Sequence, residues 1–210
     1  MRLPHPTPTP DPLPFDHFYS GNGDTPRSDA VPLPPPAVAR FDTLLHEINA
    51  DAPRVDGDRV QQLMAWLLHL DADRAHGVID SRMGRVQELR AMVEDPAWDS
   101  DYAMRKRVAK LLDYIDRDDD LIADRVPLLG RLDDVLLIEL AWPAFADEVD
   151  DFRDFCSYRQ MAHPSGGASE QREQWVRDRL HELALMQHHH AVREQHYAPH
   201  GQTSSLFRVG

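Results

Sequence analysis

Proline placement limits this 210-residue chain more than any other feature. Eleven of its 17 prolines precede Ala37, and the rest lie far apart. Pro4, Pro6, Pro8, Pro10, Pro12 and Pro14 alternate with other residues. Each removes a backbone donor and fixes φ, so neither a helix nor a sheet ladder can persist there. Residues 1–36 are therefore expected to form a disordered Pro-rich N-terminal arm. Phe15, Phe18 and Tyr19 interrupt it, and these aromatics could dock on the folded body or on a protein partner. The later prolines separate segments of another kind.

Those segments carry apolar residues at the helical period of 3.6. Val38, Phe41, Leu44, Leu45 and Ile48 share one face, and Val60, Leu63, Met64, Leu67 and Leu70 share another after a break at Pro53 and Gly57. Asp56 or Asp58 is placed to cap this second helix. A third helix is expected from about Asp71 to Glu94, with Ile79, Met83, Val86, Leu89 and Val93 inward, weakened by Gly77 and Gly84. Met104, Val108, Leu111, Leu112 and Ile115 mark a fourth. A fifth begins near Asp133, and Pro143 kinks or restarts it with Phe145, Val149 and Phe152 inward. A last helix, capped by Ser169, would turn Val176, Leu180, Leu183 and Ala191 inward. No stretch alternates apolar and polar residues as a half-buried strand would. The expected fold is all-α: an irregular bundle of six to eight helices over residues 37–198, with a flexible tail at 199–210.

Charge narrows the function classes. Twenty-three basic against 36 acidic residues give a net charge of −13, which repels phosphate backbones and anionic lipid. Nucleic acid is thus disfavoured as a partner. The longest strongly apolar run, Val135 to Trp142, contains Glu139 and is far shorter than the roughly 20 residues of a membrane span. One cysteine, Cys156, permits no disulfide within the chain and suits a reducing compartment. With no signal-peptide pattern at the start, a cytoplasmic protein is expected.

The stretch Tyr114 to Asp134 carries seven aspartates. A helical turn over 119–124 would place Asp120 and Asp124 on one face. Pro127 pushes Val126 out of the helical region, and Gly130 offers a position free of side-chain hindrance. Asp133 suits an N-cap, and Asp134 faces the positive end of the following helix dipole. Two readings follow. In one, these residues shape a corner and pair with Arg117, Arg125 and Arg131. In the other, Asp120, Asp124, Asp133 and Asp134 gather around a divalent cation.

The same stretch resembles the YkvA-like family, a bacterial helical domain of unknown function. Tyr114, Asp120, Leu121, Ile122, Asp124, Pro127, Gly130, Asp133 and Asp134 carry the resemblance, which extends over about Val108 to Asp147. Asp118 and Ala123 stand where the family pattern has prolines. The resemblance implies a helical fold and a shared motif, and it implies no reaction.

Other chemistry-bearing residues have simple explanations. His188, His189 and His190 cannot all face one ion from a helix and are expected to be exposed, although His190 with Glu194 has a ligating spacing. Cys156 is expected as a small apolar side chain. Without a catalytic signature, the expected role is a non-catalytic protein-interaction or regulatory module. The alternative is a divalent-metal-dependent hydrolase, or a metal-regulated protein, centred on the aspartates.

Overall fold

A computed structural model describes residues 11–15, 31–118 and 120–196, the last three of these by backbone alone. All regular structure among the described residues is helical, as expected. The helices are α1 (Pro35–Ile48), α2 (Gly57–His69), α3 (Ala72–Glu94), α4 (Tyr102–Ile115), α5 (Leu132–Ala141), α6 (Ala146–Ala162) and α7 (Ala168–His196). A short 3₁₀ turn, Trp142–Ala144, joins α5 to α6.

Local chemistry explains most boundaries. Helix α1 begins two residues before the expected Ala37, because proline at the first helical positions loses only a donor that was orphaned anyway. Three aspartates cap in the same way. Asp56 accepts from the Arg59 amide at 2.8 Å, Asp71 from Arg74 at 2.9 Å and Asp101 from Met104 at 2.7 Å. Each such cap stabilises its helix by about 1 kcal/mol. Gly77 and Gly84 do not interrupt α3. Pro143 sits in the 3₁₀ turn, so α6 restarts after it with Phe145, Val149 and Phe152 buried.

Helix α5 is the centre. It packs on α1, α3 and α4, and every residue from Leu132 to Ile138 is buried. The expected inward stripes of α1, α2 and α4 supply much of the surrounding core. The Pro-rich segment contributes too. Leu13 is 7 % exposed and Phe15 2 %, both within the core, and the Arg59 guanidinium lies 5.0 Å from the Phe15 ring centre. Of the two dockings open to Phe15, the structure shows the one on the chain's own body. Phe18 and Tyr19 lie outside the described residues.

One ion group locks α3 to α5. Arg82 and Arg85 are buried, and Arg82 Nε and Arg85 Nη1 donate to Glu139 Oε2 at 3.2 and 3.1 Å. Arg82 Nη2 also donates to the Asp11 carbonyl, so the arm is held by the same cation. Arg85 stacks over Trp142 at 4.5 Å. Removing the carboxylate would leave two buried guanidinium groups uncompensated. Glu139→Ala is expected to lower stability by about 3 kcal/mol, as measured by urea unfolding. A loss below about 1 kcal/mol would mean that the group is not the lock described.

Candidate functional site

Between α4 and α5 the chain makes an irregular corner from Asp116 to Arg131. Its apolar plug is Leu121, Ile122 and Leu129, exposed by 6 %, 0 % and 2 %. No helical turn forms at 120–124. The backbone bends there, with the Asp124 amide donating to the Asp118 carbonyl at 3.3 Å. Asp120 is half-buried and Asp124 exposed, so the pair does not form the shared face expected of it. Leu128 takes a positive φ of 64°, a conformation that costs a non-glycine residue about 1 kcal/mol. The Gly130 amide closes the turn onto the Val126 carbonyl at 2.8 Å.

Gly130 is obligatory for a steric reason. A Cβ there would lie 2.4 Å from the Asp124 carbonyl oxygen and 2.7 Å from its carbon. Both are backbone atoms, so no side-chain rotation can relieve the clash.

Asp133 does not cap α5. The cap position belongs to Arg131, which makes no side-chain cap bond, and Asp133 lies inside the first turn. Its carboxylate reaches back across the corner. Asp133 Oδ2 accepts from the Tyr114 hydroxyl at 2.7 Å and from the Leu121 and Ile122 amides, each at 3.1 Å. A local rule placed this aspartate, but a more distant set of donors holds it. Burial pushes its pKa up against those three hydrogen bonds, and Oδ1 is buried without a hydrogen-bond partner. The Tyr114 hydroxyl is also pushed up, by its burial and by Asp133.

Asp134, next along the helix, is 5 % exposed. Burial and the neighbouring Asp133, Asp124 and Asp120 push its pKa up to about 8, with Arg131 opposing. Asp120 is pushed up to about 6 by burial and Asp133, with Arg117 opposing. Asp124 is raised by burial and Asp118. Arg117 bonds Asp113, not a motif carboxylate. The cation site expected of Asp120, Asp124, Asp133 and Asp134 is not assembled: among the described residues no three His, Cys, Asp or Glu side chains are placed to hold a metal ion. Tyr114, Asp133, the Asp124 backbone and Gly130 together make a corner, and their chemistry is that of a structural joint.

The other candidates are soon placed. Cys156 is half-buried, its thiol raised by burial and within 3.6 Å of Arg159 Nη2. His188, His189 and His190 are exposed on α7.

The largest departure from expectation is α7 itself. Gly167, not Ser169, precedes the helix, and its amide donates to Glu170 Oε2 at 2.9 Å. The helix then anchors through Trp175, which is 7 % exposed and packs against Trp98 and Phe155 with ring centres 5.5 and 5.7 Å apart. Its indole donates to Asp154 at 2.8 Å, and Arg179 reaches Asp154 and Asp151. Beyond that anchor nothing covers it among the described residues: every residue from Val176 to Arg193 is exposed. Val176 is 40 % exposed, Leu180 60 % and Leu183 48 %, and Ala191 is exposed as well. Leu185, Met186 and Val192 join them at 49, 45 and 37 %. The inward turn expected of these side chains from their helical spacing is not made: α7 runs past the residues that would receive them.

No family model matches the chain, and neither do any curated protein or solved structure.

Two outcomes test the corner. Gly130→Ala is expected to destabilise the fold by about 3 kcal/mol, since backbone must move to admit the methyl group; a melting curve unchanged from wild type would refute the close approach. Asp134 favours its neutral form in the folded chain. Its contribution to stability is therefore complete below its ordinary value of 3.8 and is lost as pH rises through about 8. Asp134→Asn keeps the neutral form at all pH values. It should be near-neutral at about pH 4 and more stable than wild type by several kcal/mol, at most about 6, at about pH 9. Urea unfolding at the two pH values reads the difference, and an equal effect at both would contradict the buried, raised carboxyl.

Proposed function

We propose that this chain is a non-catalytic protein-interaction or regulatory module of the YkvA-like kind, working in the cytoplasm, with α7 as its contact surface. The observation that carries the reading is the run of exposed apolar side chains on α7: Val176, Leu180, Leu183, Leu185, Met186 and Val192. Large apolar side chains gathered on one exposed element mark association surfaces, whereas scattered ones need no explanation. Helix α7 has 29 residues, so it is about 43 Å long, and every residue from Val176 to Arg193 is exposed. The YkvA-like resemblance fits this role because its residues are used in the corner: Tyr114, Asp133 and Gly130 fix the angle between α4 and α5. A motif can be demanding because a turn is demanding. No helix among the described residues is long and apolar enough to cross a membrane.

A photo-crosslinking residue at position 183, compared with one at the exposed Asp51, tests the reading in the full chain. Protein adducts are expected from position 183 and not from position 51. Equal labelling at the two positions, or none at 183, would count against α7 as the contact surface.

A further inference from the structure

We infer that the seat of residues 11–15 is a peptide-binding site, and that it takes a proline-rich segment of another protein with the pattern of Asp11, Pro12, Leu13, Pro14 and Phe15. The chain's own arm is a tethered competitor for that seat. The contacts lie on α2 and α3, so this inference stands apart from the reading of α7.

Residues 11–15 rest on the body as a ligand does. Leu13 and Phe15 are buried, Asp11 and Pro12 are exposed, and Pro14 is half-buried. The apolar side chains enter the core from one side only, so the segment can lift off without unthreading. Among the described residues, no backbone–backbone hydrogen bond joins it to the rest of the chain. Its polar tie is the donation from Arg82 Nη2 to the Asp11 carbonyl. Proline suits such docking. Pro12 and Pro14 bias the residues before them, Asp11 and Leu13, towards extended backbone. A segment extended in advance loses little entropy on binding.

The body keeps its own polar bonds without the segment. Arg82 Nε donates to Glu139 at 3.2 Å, and Arg82 Nη1 reaches Ser81 Oγ at 3.2 Å and the Val78 carbonyl at 3.4 Å. Arg59 Nη1 donates to the Arg54 carbonyl at 2.9 Å, independently of the Phe15 ring beside it. Lifting the segment therefore leaves two apolar sockets and one guanidinium donor. That set specifies a ligand: a carbonyl, an apolar side chain two residues later and an aromatic two residues after that. The Arg59 guanidinium favours an aromatic ring in the second socket. Arg82 and Arg85 outnumber Glu139 beneath the carbonyl, so an acidic leading end is favoured.

The tether decides between another protein and a second copy. Fifteen residues, 16–30, separate Phe15 from Val31. A tether of this length gives the arm an effective concentration on the order of millimolar at its own seat. A second copy brings the same segment, already seated at home. Exchange between copies would add no contact and would give up the tether. A segment of another protein has no such seat to leave.

The full chain carrying Leu13→Ala with Phe15→Ala empties the seat. Fluorescence anisotropy with a labelled synthetic peptide of residues 8–18 reads binding. The emptied chain is expected to bind it saturably, at least about tenfold more tightly than wild type, whose arm competes. The same peptide with Phe15→Ala should bind at least about tenfold more weakly. Arg59→Gln in the emptied chain should weaken binding as well, and unchanged binding would place the peptide elsewhere and refute the site. No saturable binding by an emptied chain whose circular dichroism matches wild type would overturn the inference, as would equal binding by the two chains. If the double substitution unfolds the chain, Phe15→Leu keeps the socket filled while loosening the arm. That chain must then bind the peptide more tightly than wild type, and equal binding overturns the inference. Sedimentation reads the remaining occupant: the mass of wild type is expected not to depend on residue 15. A dimer lost on Phe15→Leu would assign the seat to a second copy's arm and overturn the choice of partner.

Discussion

Helix α5 has no solvent face, and the architecture is a response to that. Its run from Leu132 to Ile138 is buried without a break, as in a helix enclosed on all sides. Three acids ride on it or just beyond it, and each is accommodated differently. Glu139 receives two arginines from α3. Asp133 receives a hydroxyl from α4 and two amides from the corner. Asp134 is accommodated through its proton, which burial and neighbouring carboxylates hold on to about pH 8. The elements that supply these groups are the ones that pack on α5, so satisfying its acids and covering its apolar surface are a single structural task.

Much of this arrangement was legible in the sequence, because helical stripes and aspartate caps are local signals. Val60, Leu63, Met64 and Leu67 could be assigned inward from spacing alone, and the cap could be narrowed to Asp56 or Asp58 from position, of which Asp56 holds it. Arg82 and Arg85 could not be assigned that way. On a polar-looking helix they pass for solvent-facing residues, and only a carboxylate 54 and 57 residues further along makes their burial tolerable. Asp133 is a similar case. Its place beside a predicted helix start suggests a cap, but a hydroxyl 19 residues upstream claims its oxygen. Phe15 looked like part of a tail because its neighbours are prolines, and proline content says nothing about where a single aromatic will dock.

The corner shows why a motif dense in carboxylates need not be a site of chemistry. Its fixed features each solve a backbone problem. Pro127 ends any helix before it, and Leu128 accepts a left-handed φ. Gly130 admits the Asp124 carbonyl at a distance no Cβ allows. Asp133 gathers amides that a tight turn would otherwise leave unpaired. The orphaned Asp133 Oδ1 is what remains after that task, one acceptor for which the corner offers no donor.

Helix α7 brings folding and function together. An isolated helix of its exposed length is marginal in water, because the first turn is expensive to nucleate. Here nucleation is already accomplished by the anchored start of the helix, where Trp175 sits between Trp98 and Phe155 and Arg179 grips Asp151 and Asp154. Extension then depends on per-residue preference alone. Leu180, Arg179, Glu182, Leu183, Ala184, Leu185, Met186 and Gln187 all favour helix, while the three histidines and Val192 favour it less. The apolar residues on the middle turns are thus held in helical register before anything binds them. A surface ordered in advance loses less conformational entropy on association than one that must fold on contact. The anchor at Trp175 therefore does more than attach the helix to the body: it presets the geometry of every exposed leucine beyond it.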